Sequence, residues 1–139
     1  MTGIQALDTA VKTTEEWISA LMARLGWQDR EKVYLALLAA LHALRDSLSR
    51  DEAGYRRAVA GVVARPLFRG LASREPHPPG ENPRRLLGAL QEGVHRDPGI
   101  DAEQVAHAVF SLLVERLPAG ELEDAKAATP QALGMFWPG

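Results

Sequence analysis

The chain has 139 residues, 46% of them hydrophobic and 24% charged, with a formal net charge of -2. That length suits one domain able to bury a core without staples, and the composition is that of a folded protein. With no cysteine, disulfides, thiolate zinc sites and cysteine nucleophiles are excluded, and the charge gives no overall pull toward nucleic acid.

The first helix is predicted to start after Thr13, where Thr13-Thr14-Glu15-Glu16 has the form of a capping box. Trp17, Ile18, Leu21, Met22 and Leu25 then recur at helical spacing, and Gly26 ends the run. Trp27 follows in a loop and is expected to be partly exposed. Asp29 is the expected cap of a second helix, with Val33, Leu37, Leu41, Leu44 and Leu48 as its core stripe. Ser49 and Glu52 open a third helix, which Pro66 breaks ahead of a short docking turn at Leu67-Phe68.

Residues 72–82, ASREPHPPGEN, hold three prolines and a glycine and read as an exposed linker. Asn82-Pro83 marks a new helix start, because proline at the first helical position gives up an N–H that has no partner there. Leu86, Leu87, Leu90 and Val94 make its face. Asp101 caps the next helix, with Val105, Val109, Leu112 and Leu113 as its stripe. Pro118 to Gly120 punctuate, ELEDAKAA makes a short helix, and Pro130 precedes a final apolar turn, QALGMFW, expected to dock on the bundle. Trp17, Phe110 and Phe136 are expected in the core.

The second half repeats the order of the first. Trp17 with Leu86 and Leu21 with Leu90 are 69 residues apart, whereas Asp29 with Asp101 and Val33 with Val105 are 72 apart. Glu52 with Glu121 and Phe68 with Trp137 return to 69. One insertion at Arg96-Asp97-Pro98 and one compensating deletion restore the register, so internal duplication is expected. The organisation expected is a single domain over 1–139: a first helical repeat at 13–71, the linker at 72–82 and a second repeat at 83–138. VYLALLAALHAL and VAHAVFSLLV are apolar nearly all round and need cover on more than one side. The fold class is therefore all-α, a bundle of two pseudo-repeats of three to four helices each, with the two apolar helices central. A dimer is the other way of supplying that cover.

No apolar run is long enough to span a membrane. MTGIQALDTAVKTT lacks the basic-then-apolar pattern of a secretory leader, so the expected location is the cytoplasm.

The stretches ALDTAVKTTEEWISALMARLGWQDREKVYLALLAALHALRDSLSRDEA and DPGIDAEQVAHAVFSLLVERLPAGELEDAKAATPQAL resemble the bacterial family known as domain of unknown function 2267. The likeness runs from about Ala6 to Pro138 and is weakest between Gly54 and Asn82. It implies an all-helical, internally repeated fold and carries no activity. Family members have a Leu-Pro pair in the third-helix region of each half, with a His and Gly-Ala-Gln ahead of the first. Here the pairs read Ala60-Gly61 and Thr129-Pro130, and Tyr55 stands where the family has His. Nothing about that segment therefore transfers from the resemblance.

Candidate chemistry is sparse. The histidines, His42, His77, His95 and His107, form no metal-ligand spacing, and no metal or cofactor is expected. Glu15, Glu16, Asp51, Glu52, Glu121, Glu123 and Asp124 fall in helix first turns, where the helix dipole accounts for them. No phosphate loop or nucleophile elbow occurs. Helical angles put His42 and His107 on the second apolar face of their helices, where a catalytic or ligand role needs both in one internal pocket. From Arg56 to Arg85 seven arginines face two glutamates, while 86–139 carry three basic and eight acidic residues.

The first expectation is thus a non-catalytic interaction or scaffold module, a homodimer or bound to a protein partner, with no nucleic acid or membrane. The alternative is a binder of a small hydrophobic or anionic molecule, or a cofactor-independent enzyme. Its pocket lies between the repeats, with His42 and His107 as catalytic candidates and Tyr34, His42, His107, Arg65 and Arg69 as ligand contacts. A third is an acidic-partner adaptor through Arg56, Arg57, Arg65 and Arg69.

Overall fold

A computed structural model describes residues 2–47 and 83–138, with side chains from Lys12 onward in the first stretch. The expected third helix, the turn at Leu67-Phe68, the 72–82 linker, Leu48 and Arg56 to Arg74 lie outside these residues. Among the described residues the elements are α1 (Thr2–Leu25), α2 (Arg30–Ser47), α3 (Pro83–Gly93), α4 (Ala102–Arg116), α5 (Ala119–Ala128) and a 3-10 helix (Gln131–Phe136). The protein is an all-α bundle.

α1 corrects the sequence reading. It starts at Thr2 and runs through the Thr13-Thr14-Glu15-Glu16 string. No glycine or proline stands between Ile4 and Leu25, so nothing stops the helix from extending upstream. A threonine inside a running helix cannot act as its N-cap, which requires non-helical backbone. The stripe itself is as expected: Trp17, Ile18, Leu21 and Leu25 are buried and Met22 packs beside them.

Helix ends follow from local chemistry. Gly26 ends α1 in the left-handed region at φ 72°, its N–H donating to the Met22 carbonyl at 2.8 Å. That single bond is a glycine-type C-cap, and a Cβ there is strained by the backbone alone. Asp29 then caps α2, its Oδ1 accepting from the N–H of Glu31 at 3.0 Å and of Lys32 at 3.3 Å. α3 begins at Pro83 and closes with two bonds, Arg96 N–H to the Gln91 carbonyl at 2.8 Å and His95 N–H to the Glu92 carbonyl at 3.0 Å. This is a Schellman closure, but a histidine occupies its left-handed position, at φ 59°, and Arg96 follows at φ 53°. Asp101 caps α4 with bonds of 3.0 and 3.3 Å from the N–H groups of Glu103 and Gln104. Pro118 stands immediately before α5, and Pro130 before the 3-10 helix.

The two apolar helices are central. α2 packs against α1, α3 and α4, and α1 and α3 each touch both α2 and α4. On α2, Ala36, Ala39, Ala40 and Ala43 are buried as well as Val33, Leu37, Leu41 and Leu44, which is the many-sided cover its composition demands. Val105, Ala106, Val109, Phe110, Leu112 and Leu113 do the same for α4. Small side chains allow α2 and α3 to cross closely: a Cβ built on Gly93 falls 2.5 Å from the Ala39 Cβ.

The C-terminal segment docks, as its composition requires. Phe136 is 1% exposed, with ring centroids 5.6 Å from Phe110 and 5.2 Å from His107. Trp137 lies 4.6 Å from Phe110 and donates from Nε1 to the Thr129 hydroxyl at 3.3 Å. Trp27 is half-buried, with the Lys32 ammonium 4.6 Å from its ring. Ion pairs Arg30–Glu15 and Arg24–Glu115 tie α1 to α2 and α4 at the surface.

Candidate functional site

Of the candidate side chains, His42 has the most enclosed setting. It projects from the fourth turn of α2 into a groove of about 360 Å³ between α2 and α3. Ala39, Ala43, Ala89 and Gly93 form its floor, and their small size keeps it open. Asp46, one turn beyond His42, and Glu92 on α3 complete its walls. Asp46 Oδ1 accepts from the Arg45 guanidinium at 3.1 and 3.2 Å. Arg45 is 4% exposed, so this is a buried cation held by its neighbour's carboxylate. Ser47, also buried, donates to the Ala43 carbonyl at 2.8 Å and is spent on the helix itself.

His107 is not part of that groove. Its imidazole is exposed on α4, tilted against Phe136, with Nε2 3.8 Å from Glu103 Oε1 one turn away. The structure thus does not bring the two histidines into one pocket. The helical angle put each imidazole off its core stripe, but the neighbours differ: α3 beside His42, the 3-10 helix beside His107. Tyr34 is exposed on α2, away from the groove walls. Arg65 and Arg69 lie outside the described residues.

The sequence reading missed Asp46 and Glu92 as companions of His42. The i, i+4 spacing of His42 and Asp46 was a usable signal for the first. Glu92 carried none, because only the α2–α3 crossing brings it there. Among the described residues no group of three or more His, Asp or Glu side chains is placed to hold a metal ion.

A second concave surface lies at the end of the bundle where α2 begins. This cleft of about 490 Å³ runs between the α2 start, at Lys32 and Leu35, and the α3–α4 turn, at His95, Arg96 and Asp97. Tyr34 and Leu35 are 36% and 40% exposed, unlike the apolar side chains that follow them on α2. Met135 is the third exposed large hydrophobic side chain among the described residues. No described helix is long and apolar enough to cross a membrane.

The described residues define an all-α bundle with a tightly closed core and shallow surface concavities. Residues 14–136 match the model of the family described as "Uncharacterized conserved protein (DUF2267)", and the chain belongs to that family. No curated protein matches the chain.

Proposed function

We propose that the chain is a cytoplasmic, non-catalytic interaction module built from two copies of one helical unit. The observation that carries the interaction reading is the pair Tyr34 and Leu35. They are neighbouring large side chains left partly in water near the start of α2, and Leu35 borders a charged cleft. The duplication reading is supported by the helix ends. The left-handed positions Gly26 and His95 are 69 residues apart, and the caps Asp29 and Asp101, with equal bond lengths, are 72 apart. The three extra residues of the second copy then fall between His95 and Asp101, where the sequence alignment puts them.

A photoreactive amino acid at position 35, in the native host, tests the interaction reading, with the exposed position Ala23 on α1 as control. Expected is a covalent protein adduct from position 35 and none from position 23. The chain at its own mass from both positions would overturn the reading.

The His42 groove favours a second reading, a small-molecule binder, because it sets an imidazole beside two carboxylates over an apolar floor. Native mass spectrometry of the purified chain tests it. A bound species that disappears in His42→Ala supports it, and a ligand-free mass from the native host counts against it.

A further inference from the structure

The cover of the two central helices comes from both halves of the chain. α1 packs on α4 as well as on α2, α3 packs on α2 as well as on α4, and α2 and α4 touch one another. Each first helix is thus wedged between its own central helix and that of the other half. A half taken alone loses two of the helices that pack on its central helix. For α2 the loss includes the cover of Ala39, which Gly93 approaches closely.

This pattern is unchanged when the halves are exchanged. At the spacings of 69 and 72, α1 corresponds to α3 and α2 to α4. The α1–α4 contact then maps onto α3–α2, the α1–α2 contact onto α3–α4, and the α2–α4 contact onto itself. Leu21 and Leu90, Val33 and Val105, Leu37 and Val109, and Leu41 and Leu113 are corresponding pairs, and all eight are fully buried. Arg24 and Glu115, whose ion pair bridges α1 and α4, correspond to Gly93 and Ala43, which both line the α2–α3 groove. Contacts that survive the exchange of two units are those of a two-fold pair of subunits, here joined in one chain.

We propose that the surface between the halves is a recognition surface between chains as well as within one, so that a half of one copy pairs with the complementary half of a second copy. The match is one of shape where Gly93 meets Ala39 and of charge where Arg24 meets Glu115. Joined in one chain, the halves meet at an effective concentration that a dilute second copy does not reach, so the intact chain closes on itself. The second copy takes over when one of a chain's own halves cannot fold.

Full-length chains damaged in opposite halves test it. Leu37→Asp with Leu41→Asp leaves the second half unaltered, and Val109→Asp with Leu113→Asp leaves the first. Each places two carboxylates at fully buried positions, so neither chain is expected to fold alone. Refolded together from urea in equal amounts, they should recover cooperative unfolding by circular dichroism and sediment at twice the 15.1 kDa chain mass. Replacing either partner by a chain with all four substitutions should abolish the recovery. A mixture no more helical than its parts overturns the proposal, and so does recovery with the fourfold variant. Either damaged chain folding alone also overturns it, because a half would then stand without its partner. The pairing rests on the contacts among four helices, so its failure leaves the duplication reading, which rests on the helix ends, standing.

Discussion

Glycine-to-alanine substitution at two places in α3 should change stability in opposite directions. At Gly93 the new methyl would lie 2.5 Å from the Ala39 Cβ and 3.2 Å from its Cα. Carbon atoms in contact sit about 3.5–4.0 Å apart, so the overlap exceeds about 1 Å. Ala39 has no side-chain rotamer with which to yield, so α2 and α3 must separate. Overpacking of this kind costs about 1–3 kcal/mol, and the helix-propensity gain of up to about 1 kcal/mol is reduced at a helix's last residue. The net expectation for Gly93→Ala is a loss of about 1–2 kcal/mol, or roughly 3–7 °C in melting temperature for a chain of this size. At Gly88, in the interior of the same helix, a Cβ meets nothing within 4 Å. There the propensity term acts alone, and Gly88→Ala should gain about 0.5–1 kcal/mol. Adding Ala39→Gly to Gly93→Ala should recover part of the loss, with a coupling above about 0.5 kcal/mol. Thermal and urea unfolding followed by circular dichroism measure the wild type, the single variants Gly93→Ala, Gly88→Ala and Ala39→Gly, and the double variant. A Gly93→Ala variant as stable as the wild type would refute the close α2–α3 crossing.

Other substitutions probe the helix ends and the docked segment. His95→Gly should stabilise by about 1 kcal/mol by relieving the left-handed strain at φ 59°, and Gly26→Ala should cost about 1–2 kcal/mol for the converse reason at φ 72°. A melting temperature unmoved by either would place the strain elsewhere. Asp29→Ala and Asp101→Ala should each cost about 1 kcal/mol, because each removes the same pair of capping bonds. Urea titrations of the single and double variants should give additive losses within about 0.5 kcal/mol. Phe136→Ala empties a site packed against Phe110 and His107 and should cost about 3–5 kcal/mol. A urea midpoint close to the wild type's would mean that the 3-10 segment is not docked in solution.

What the sequence made legible is local. A 3.6-residue stripe identifies Val33, Leu37, Leu41 and Leu44 as core without reference to any other helix, and all four are buried. An aspartate before an apolar run announces a cap, and Asp29 and Asp101 both cap. The misplaced start of α1 shows the limit of such signals. Thr13-Thr14-Glu15-Glu16 has capping chemistry, but whether it caps depends on whether a helix is already running. The candidate site was less legible, because it depends on which faces meet. Periodicity put His42 and His107 off their core stripes but did not say that α3 borders one and the 3-10 helix the other. Gly93 against Ala39 gives no local sign of its importance, and neither does a histidine doing a glycine's work at position 95.

Native-state hydrogen exchange on α2 and α4 tests most directly the claim that these helices form one shared centre. α1 and α3 each pack on both, and the two touch one another. The amides of Leu37 to Leu44 and of Val109 to Leu113 should therefore exchange only through a common global opening, at the free energy found by denaturant titration. If one helix opens at a free energy lower by more than about 2 kcal/mol while the other stays protected, the halves are separate folding units, and the shared centre does not exist.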